Sequence, residues 1–173
     1  LFKSIQEACK KNVDAAIISS PANLHIAQSK EFIKQKIHVL IEKPISTSKK
    51  HILNLNELAK KNSTIAQVGY VLRHNKSLKF FESKIKEGFI GKPLNGRIVC
   101  SSYLPNWRPG QNYKNSVSAK PELGGGVLLE LSHELDYLIW LFGDFLEVQS
   151  KIIKSNNLDI QCSDTAYIIS KHP

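Results

Sequence analysis

Short apolar runs and helix-spaced apolar positions alternate through the first third of the chain. Residues 3–11 read as the end of an amphipathic helix. Asp14-Ala15-Ala16-Ile17-Ile18-Ser19-Ser20 is a brief apolar run, the mark of a buried parallel strand. Residues 22–36 follow with helical spacing, placing Leu24, Ala27, Phe32 and Ile33 on one inward side. His38-Val39-Leu40-Ile41 is a second buried strand, closed by Glu42-Lys43-Pro44. Ser48 caps a helix over 49–61 with Ile52, Leu55, Leu58 and Ala59 inward, and residues 64–71 form a third strand. Strand–helix–strand–helix–strand with short loops predicts right-handed crossovers on a parallel sheet.

The pattern changes near residue 72. A helix over 75–87 ends at Gly88, Gly91-Lys92-Pro93 turns the chain, and Leu94 to Tyr103 reads as a strand. Residues 104–123 have little periodicity, and a loop of that length is functional or disordered. A strongly apolar helix follows over 127–142, its core stripe formed by Leu128, Leu131, Leu135, Leu138 and Phe142 and its end by Gly143. Strand patterns at 145–154 and 164–170, with no helix between them, predict antiparallel pairing. The chain therefore divides into an α/β unit, 1–72, and an α+β unit, 73–173.

Composition narrows the classes. With 42% hydrophobic and 23% charged residues, the 173-residue chain has material for a sizeable core. There is no methionine, and the last apolar run, Ala166 to Ser170, has no closing element, so a piece cut at both ends is expected. The residues from Leu1 to Glu7 lack a signal-peptide layout, and no apolar stretch reaches the roughly 18 residues of a spanning helix. Cys9, Cys100 and Cys162 are far apart and form no CxxC pair, which points to reduced thiols in a cytoplasmic protein, without metal or disulfide. The net charge of +9 comes mostly from scattered lysines on helical segments. No Arg-rich, aromatic-laced run suggests nucleic acid; a basic surface favours at most an anionic cofactor or substrate.

Ligands of open parallel sheets sit at the carboxyl ends of the strands. Those ends hold Ser19-Ser20-Pro21-Ala22-Asn23-Leu24-His25, Glu42-Lys43-Pro44 and Gly69-Tyr70-Val71-Leu72-Arg73-His74. The first loop could face an anion or be an ordinary helix start. Lys43 could bind a substrate hydroxyl and move a proton, or pair with a carboxylate in solvent. Downstream, Gly124-Gly125-Gly126 leads into a helix on which Glu130, His133 and Asp136 lie three apart. His133 can then reach either carboxylate, as general acid–base work requires, or the three can be a polar flank.

Together these segments resemble the Gfo/Idh/MocA family of NAD(P)-dependent oxidoreductases. The resemblance runs in order through Val13 to Pro21 with His25, His38 to Pro44, Gly69 to Arg73, Gly88 to Pro93, Trp107-Arg108, and the glycine triplet leading to His133-Glu134-Leu135-Asp136 and Trp140-Leu141-Phe142-Gly143. It implies the C-terminal half of a Rossmann dinucleotide-binding domain, followed by part of an α+β domain with an open, mostly antiparallel sheet. The glycine-rich fingerprint would precede residue 1, and none of the nine glycines forms GxGxxG. The resemblance further implies NAD or NADP held by Ser20, Pro21, Asn23, His25, Glu42, Lys43, Trp107 and Arg108. Lys43 and His133 would be catalytic, and Lys43, Arg73, Glu130, His133 and Asp136 would meet the substrate.

That substrate would be a sugar, cyclic polyol or sugar nucleotide, oxidised or reduced at a carbinol carbon. A homodimer or homotetramer would form through the open sheet face. Leu129 stands where many members carry an aspartate, four residues before the histidine. This departure leaves two alternatives: a regulator that binds a dinucleotide or sugar without turnover, and an NAD-dependent glycoside hydrolase.

Overall fold

The computed structural model describes residues 2–11 and 13–173; Leu1, read above in the N-terminal stretch, and Asn12 lie outside them. The first helix, α1 (Ile5–Cys9), begins here rather than ending a longer one. Ser4 caps it, its hydroxyl accepting the Glu7 amide at 3.1 Å. Three parallel strands follow, β1 (Ala15–Ile18), β2 (His38–Ile41) and β3 (Ala66–Val68), hydrogen-bonded in that order. Ala15 pairs with His38 and Ile18 with Ile41, while Val39 pairs with Ala66 and Ile41 with Val68. Two further amide bonds, Glu42 to the Ile18 carbonyl (2.9 Å) and Gly69 to the Ile41 carbonyl (2.7 Å), carry the ladders to the strand ends.

The crossovers contain α2 (His25–Lys34) and α3 (Ile52–Lys61). Two right-handed crossovers running the same way along the sheet put both helices on one face. Ile18, Val39 and Ile41 are therefore buried against Ile33, Phe32, Leu55 and Ala59, whereas Ile17 on the other face is 70% exposed. The expected burial of the strands thus holds for one face of this chain. In α2 the inward residues are Ile26, Ser29, Phe32 and Ile33; Leu24 and Ala27 are exposed. A tight 3-10 turn over Ala22–Leu24 precedes the helix, and its larger rotation per residue shifts the phase. In α3, Leu55 and Ala59 are inward as expected, but the helix starts at Ile52 behind a left-handed His51, and the Ser48 hydroxyl accepts only the Lys50 amide.

Past β3, Asn75 caps α4 (Lys76–Lys86) by accepting from the Ser77 and Leu78 amides, and Gly88 turns away at φ +71°. The strand expected over 94–103 does not form. That segment pairs with no neighbour among the described residues and Leu94 is 93% exposed; apolar alternation makes a strand only where a partner supplies the ladder. The irregular segment 104–123 is ordered into four 3-10 turns: Leu104–Asn106, Tyr113–Asn115, Val117–Ala119 and Pro121–Leu123. It shares a small core with the loop before the last strand, where Ala119, Ile160 and Cys162 pack with Leu104, Tyr113 and Leu158.

The expected helix over 127–142 is two helices, α5 (Val127–Glu130) and α6 (Ser132–Phe142), broken at Leu131 (φ −100°, ψ 30°). Its predicted stripe is half-buried, and only Ser132 in the pair is fully buried. β4 (Glu147–Ile153) and β5 (Thr165–Lys171) form the expected antiparallel pair, Val148 opposite Ser170 and Ile152 opposite Ala166. His172 ties the end of β5 to the end of α6 through the Gly143 carbonyl, 2.8 Å from Nδ1.

Candidate active site

At the end of β1 the chain turns through Ser20 and Pro21 into α2. The Ser20 hydroxyl donates to Gln28 Oε1 at 2.6 Å, so it is engaged within the loop. His25, expected to face a cofactor, is instead 1% exposed. Its Nε2 lies 2.7 Å from the Ser20 carbonyl and its Nδ1 2.9 Å from that of Pro44. The imidazole is a strap between the loops after β1 and β2, and Asn23 in the first loop is exposed.

The strap bears directly on the residue before Pro44. Lys43 leaves the end of β2 and donates from Nζ to the Glu130 carbonyl at 2.7 Å, with Glu130 Oε2 3.4 Å away. That carbonyl is available because the helix breaks. In an unbroken helix it would accept the Glu134 amide, which here turns to the Leu131 carbonyl at 3.3 Å. Glu42 points the other way, exposed, its carboxylate over Gly69.

The remaining contacts follow the same face of α5 and α6. Three residues after Glu130, the His133 ring meets the Tyr70 ring edge-on, centroids 5.6 Å apart at 83°. Three residues further, Asp136 takes a fork from Arg73, Nε to Oδ2 and a terminal nitrogen to Oδ1, both 2.8 Å. The guanidinium also sits 5.8 Å from the Trp140 ring centroid, and its bond to Asp136 raises its already high pKa. Glu130, His133 and Asp136 thus meet Lys43, Tyr70 and Arg73 in order, from the end of β2 to the turn after β3.

The expectation that His133 reaches a flanking carboxylate is corrected. Both carboxylates are taken by cations, and His133 Nδ1 is buried with no partner among the described residues. Trp107 and Arg108 stand apart from this set. Trp107 donates to the Ser102 hydroxyl at 2.7 Å, and both line a small depression with Leu104 and Tyr113. Tyr70 is the residue the sequence reasoning missed; its only signal was its place at a strand end, between Gly69 and Arg73. Burial pushes up the thiols of Cys9, Cys100 and Cys162.

Comparison with known proteins meets this geometry at both ends of the chain. Residues 1–70 match the family model described as "Oxidoreductase family, NAD-binding Rossmann fold", and residues 81–173 match that of the GFO/IDH/MocA C-terminal domain. The chain belongs to the Gfo/Idh/MocA family. A 1,5-anhydro-D-fructose reductase of Ensifer adhaerens is 29% identical over 134 residues, 77% of this chain and 39% of the reductase. A myo-inositol 2-dehydrogenase of Thermotoga maritima is 28% identical over 137 residues, 79% of this chain and 38% of that enzyme. In three dimensions the chain follows the WlbA dehydrogenase from Bordetella pertussis, solved in complex with NADH and UDP-GlcNAcA. The TM-score is 0.81 at 22% identity, over 99% of this chain and 49% of that one. This Gfo/Idh/MocA chain therefore spans about two-fifths of the curated relatives' length and about half of the solved chain. Its first sheet is part of a Rossmann fold and its second an antiparallel pair in the C-terminal domain.

The strand ends suit a dinucleotide. Asn23 and Glu42 are exposed there, and their side chains make no hydrogen bond among the described residues, so both are available to ribose hydroxyls.

Proposed function

We propose that this chain carries the catalytic face of an NAD(P)-dependent oxidoreductase acting at a carbinol or ketone carbon of a sugar, cyclic polyol or sugar nucleotide. The observation that carries it is that Lys43 is held by Glu130, the last residue of α5, three residues before His133 in α6. The named substrates of the relatives support the carbohydrate class. The boundary between the two units falls near residue 72.

Asn23 and Glu42, with the backbone of Ser20 and Pro21, would hold the dinucleotide; Trp107 and Arg108 would border it. When bound, the dinucleotide supplies a hydride acceptor or donor. Lys43 binds and polarises the substrate oxygen, and Glu130 keeps its ammonium aimed. His133 exchanges the hydroxyl proton at the same oxygen. Its Nδ1 is the buried nitrogen, so Nε2 is the one that serves. His25 contributes by holding the backbone on either side of the crevice, not by contact.

No helix is long and apolar enough to cross a membrane among the described residues. The free cysteines suit a reducing cytoplasm, and assembly would proceed through the open sheet face as a dimer or tetramer.

The test is a thermal-shift and NADH-absorbance screen of the full-length protein with NAD, NADP, myo-inositol and UDP-linked sugars. A bound dinucleotide raises the melting temperature by mass action. Lys43→Ala is expected to lower turnover by about 10²–10⁴-fold while leaving dinucleotide binding nearly intact. No shift with either dinucleotide, or unchanged turnover in Lys43→Ala, sinks the assignment.

A further inference from the structure

The Arg73 guanidinium gives two of its five N–H donors to one partner: Nε and a terminal nitrogen each lie 2.8 Å from a different oxygen of Asp136, a bidentate pair. The Asp136 side chain is 12% exposed and that of Arg73 is 42% exposed, so the pair sits at the edge of the crevice. Trp140, one turn beyond Asp136 on α6, backs the guanidinium from the side. The 3-10 turn Val71–His74, which carries Arg73, is thereby fixed on α6.

His133 has no comparable anchor of its own. Its Nδ1 is buried and unpartnered among the described residues, Glu130 is engaged with Lys43, and Asp136 is engaged with Arg73. The Tyr70 ring meets the imidazole edge-on, and Tyr70 directly precedes the Val71–His74 turn that the fork pins to α6. A slip of the Arg73–Asp136 pair would therefore move Tyr70 across the imidazole.

We infer that Arg73 and Asp136 are positioning residues for His133: their fork sets the register in which Tyr70 orients the imidazole. This rests on the reading of His133 as the acid–base group. A misplacement of about 1 Å at such a group costs on the order of 10²-fold in rate.

The test is made in the full-length protein labelled with ¹⁵N-histidine, comparing wild type, Arg73→Lys, Asp136→Asn and the swap Arg73→Asp/Asp136→Arg. Imidazole ¹H–¹⁵N spectra read His133 directly, whatever the protein turns over. Both single variants are expected to move the His133 resonances, and the swap to bring them part of the way back. With a substrate from the screen above, kcat is expected to fall by about 10²-fold with KM nearly unchanged. His133 signals that stay put in both single variants overturn the inference, as does a raised KM at constant kcat, the behaviour of a substrate ligand. If the variants do not fold, nuclear Overhauser contacts between the Tyr70 and His133 rings in the wild type decide it, and their absence overturns it. A protein with no turnover but variant-sensitive His133 signals leaves this geometry standing and removes the oxidoreductase reading instead.

Discussion

Buried carbonyl oxygens need donors, and at the carboxyl ends of β1 and β2 one imidazole lies between two of them. His25 spans the Ser20 and Pro44 carbonyls from a site that is 1% exposed, and so fixes the backbone next to Lys43. His25→Phe keeps a ring but supplies no N–H, leaving a buried carbonyl short. The expected loss is about 1–3 kcal/mol, read as a lower urea midpoint at unchanged slope. An unchanged midpoint would show that the strap carries no weight. Lys43 follows the end of β2 and His133 stands on α6, whereas the burial of His25 and its two carbonyl neighbours leave no mark in the residue pattern. The same holds for the pairing of Arg73 with Asp136, 63 residues apart in the chain.

Among the elements, the glycine triplet and the helix after it show how a local sequence sets up distant contacts. Gly124 and Gly126 have φ of +103° and +105°, values that favour glycine. Gly125 is there for space: an added Cβ would stand 2.5 Å from the Ser118 carbonyl oxygen and 2.7 Å from that of Val117, both backbone. Gly125→Ala is expected to destabilise by about 1–3 kcal/mol and to loosen the loop 116–118 against α5, measured as a lower melting temperature and faster amide exchange over those residues. A variant as stable as the parent would contradict the packing. The break at Leu131 was not legible, because the apolar repeat continues across it. Its consequence is tertiary: the freed Glu130 carbonyl meets a lysine 87 residues away in sequence.

Across the whole molecule, charge is the property most exposed to conditions. Two carboxylates are held below their ordinary range. Asp159 is lowered by the ion pair with Lys114 at 2.6 Å. For Asp164, burial would raise the pKa, yet it is lowered overall by the hydroxyl and amide of Ser155 and the hydroxyl of Thr165. Both folded-state pKa values lie below the unfolded ones. Their stabilisation is therefore present above the ordinary carboxylate pKa of about 3.9 and is lost as pH falls through the folded values. Melts between about pH 2 and 5 are expected to be less steeply pH-dependent in Asp164→Asn than in the parent, and an identical acid dependence would exclude that role.

The first three strands with their two crossover helices, the parallel first sheet, the antiparallel last pair and the side-chain types at the strand ends were all determined by the sequence alone. They follow from short-range periodicity and the handedness of crossovers, which the residue pattern carries by itself. Tertiary structure alone decided which face of the sheet is covered, that 94–103 has no strand partner, that one apolar helix is two, and which cation meets which carboxylate. Each of these depends on groups tens of residues apart competing for the same hydrogen bonds, and no local pattern records the outcome of that competition.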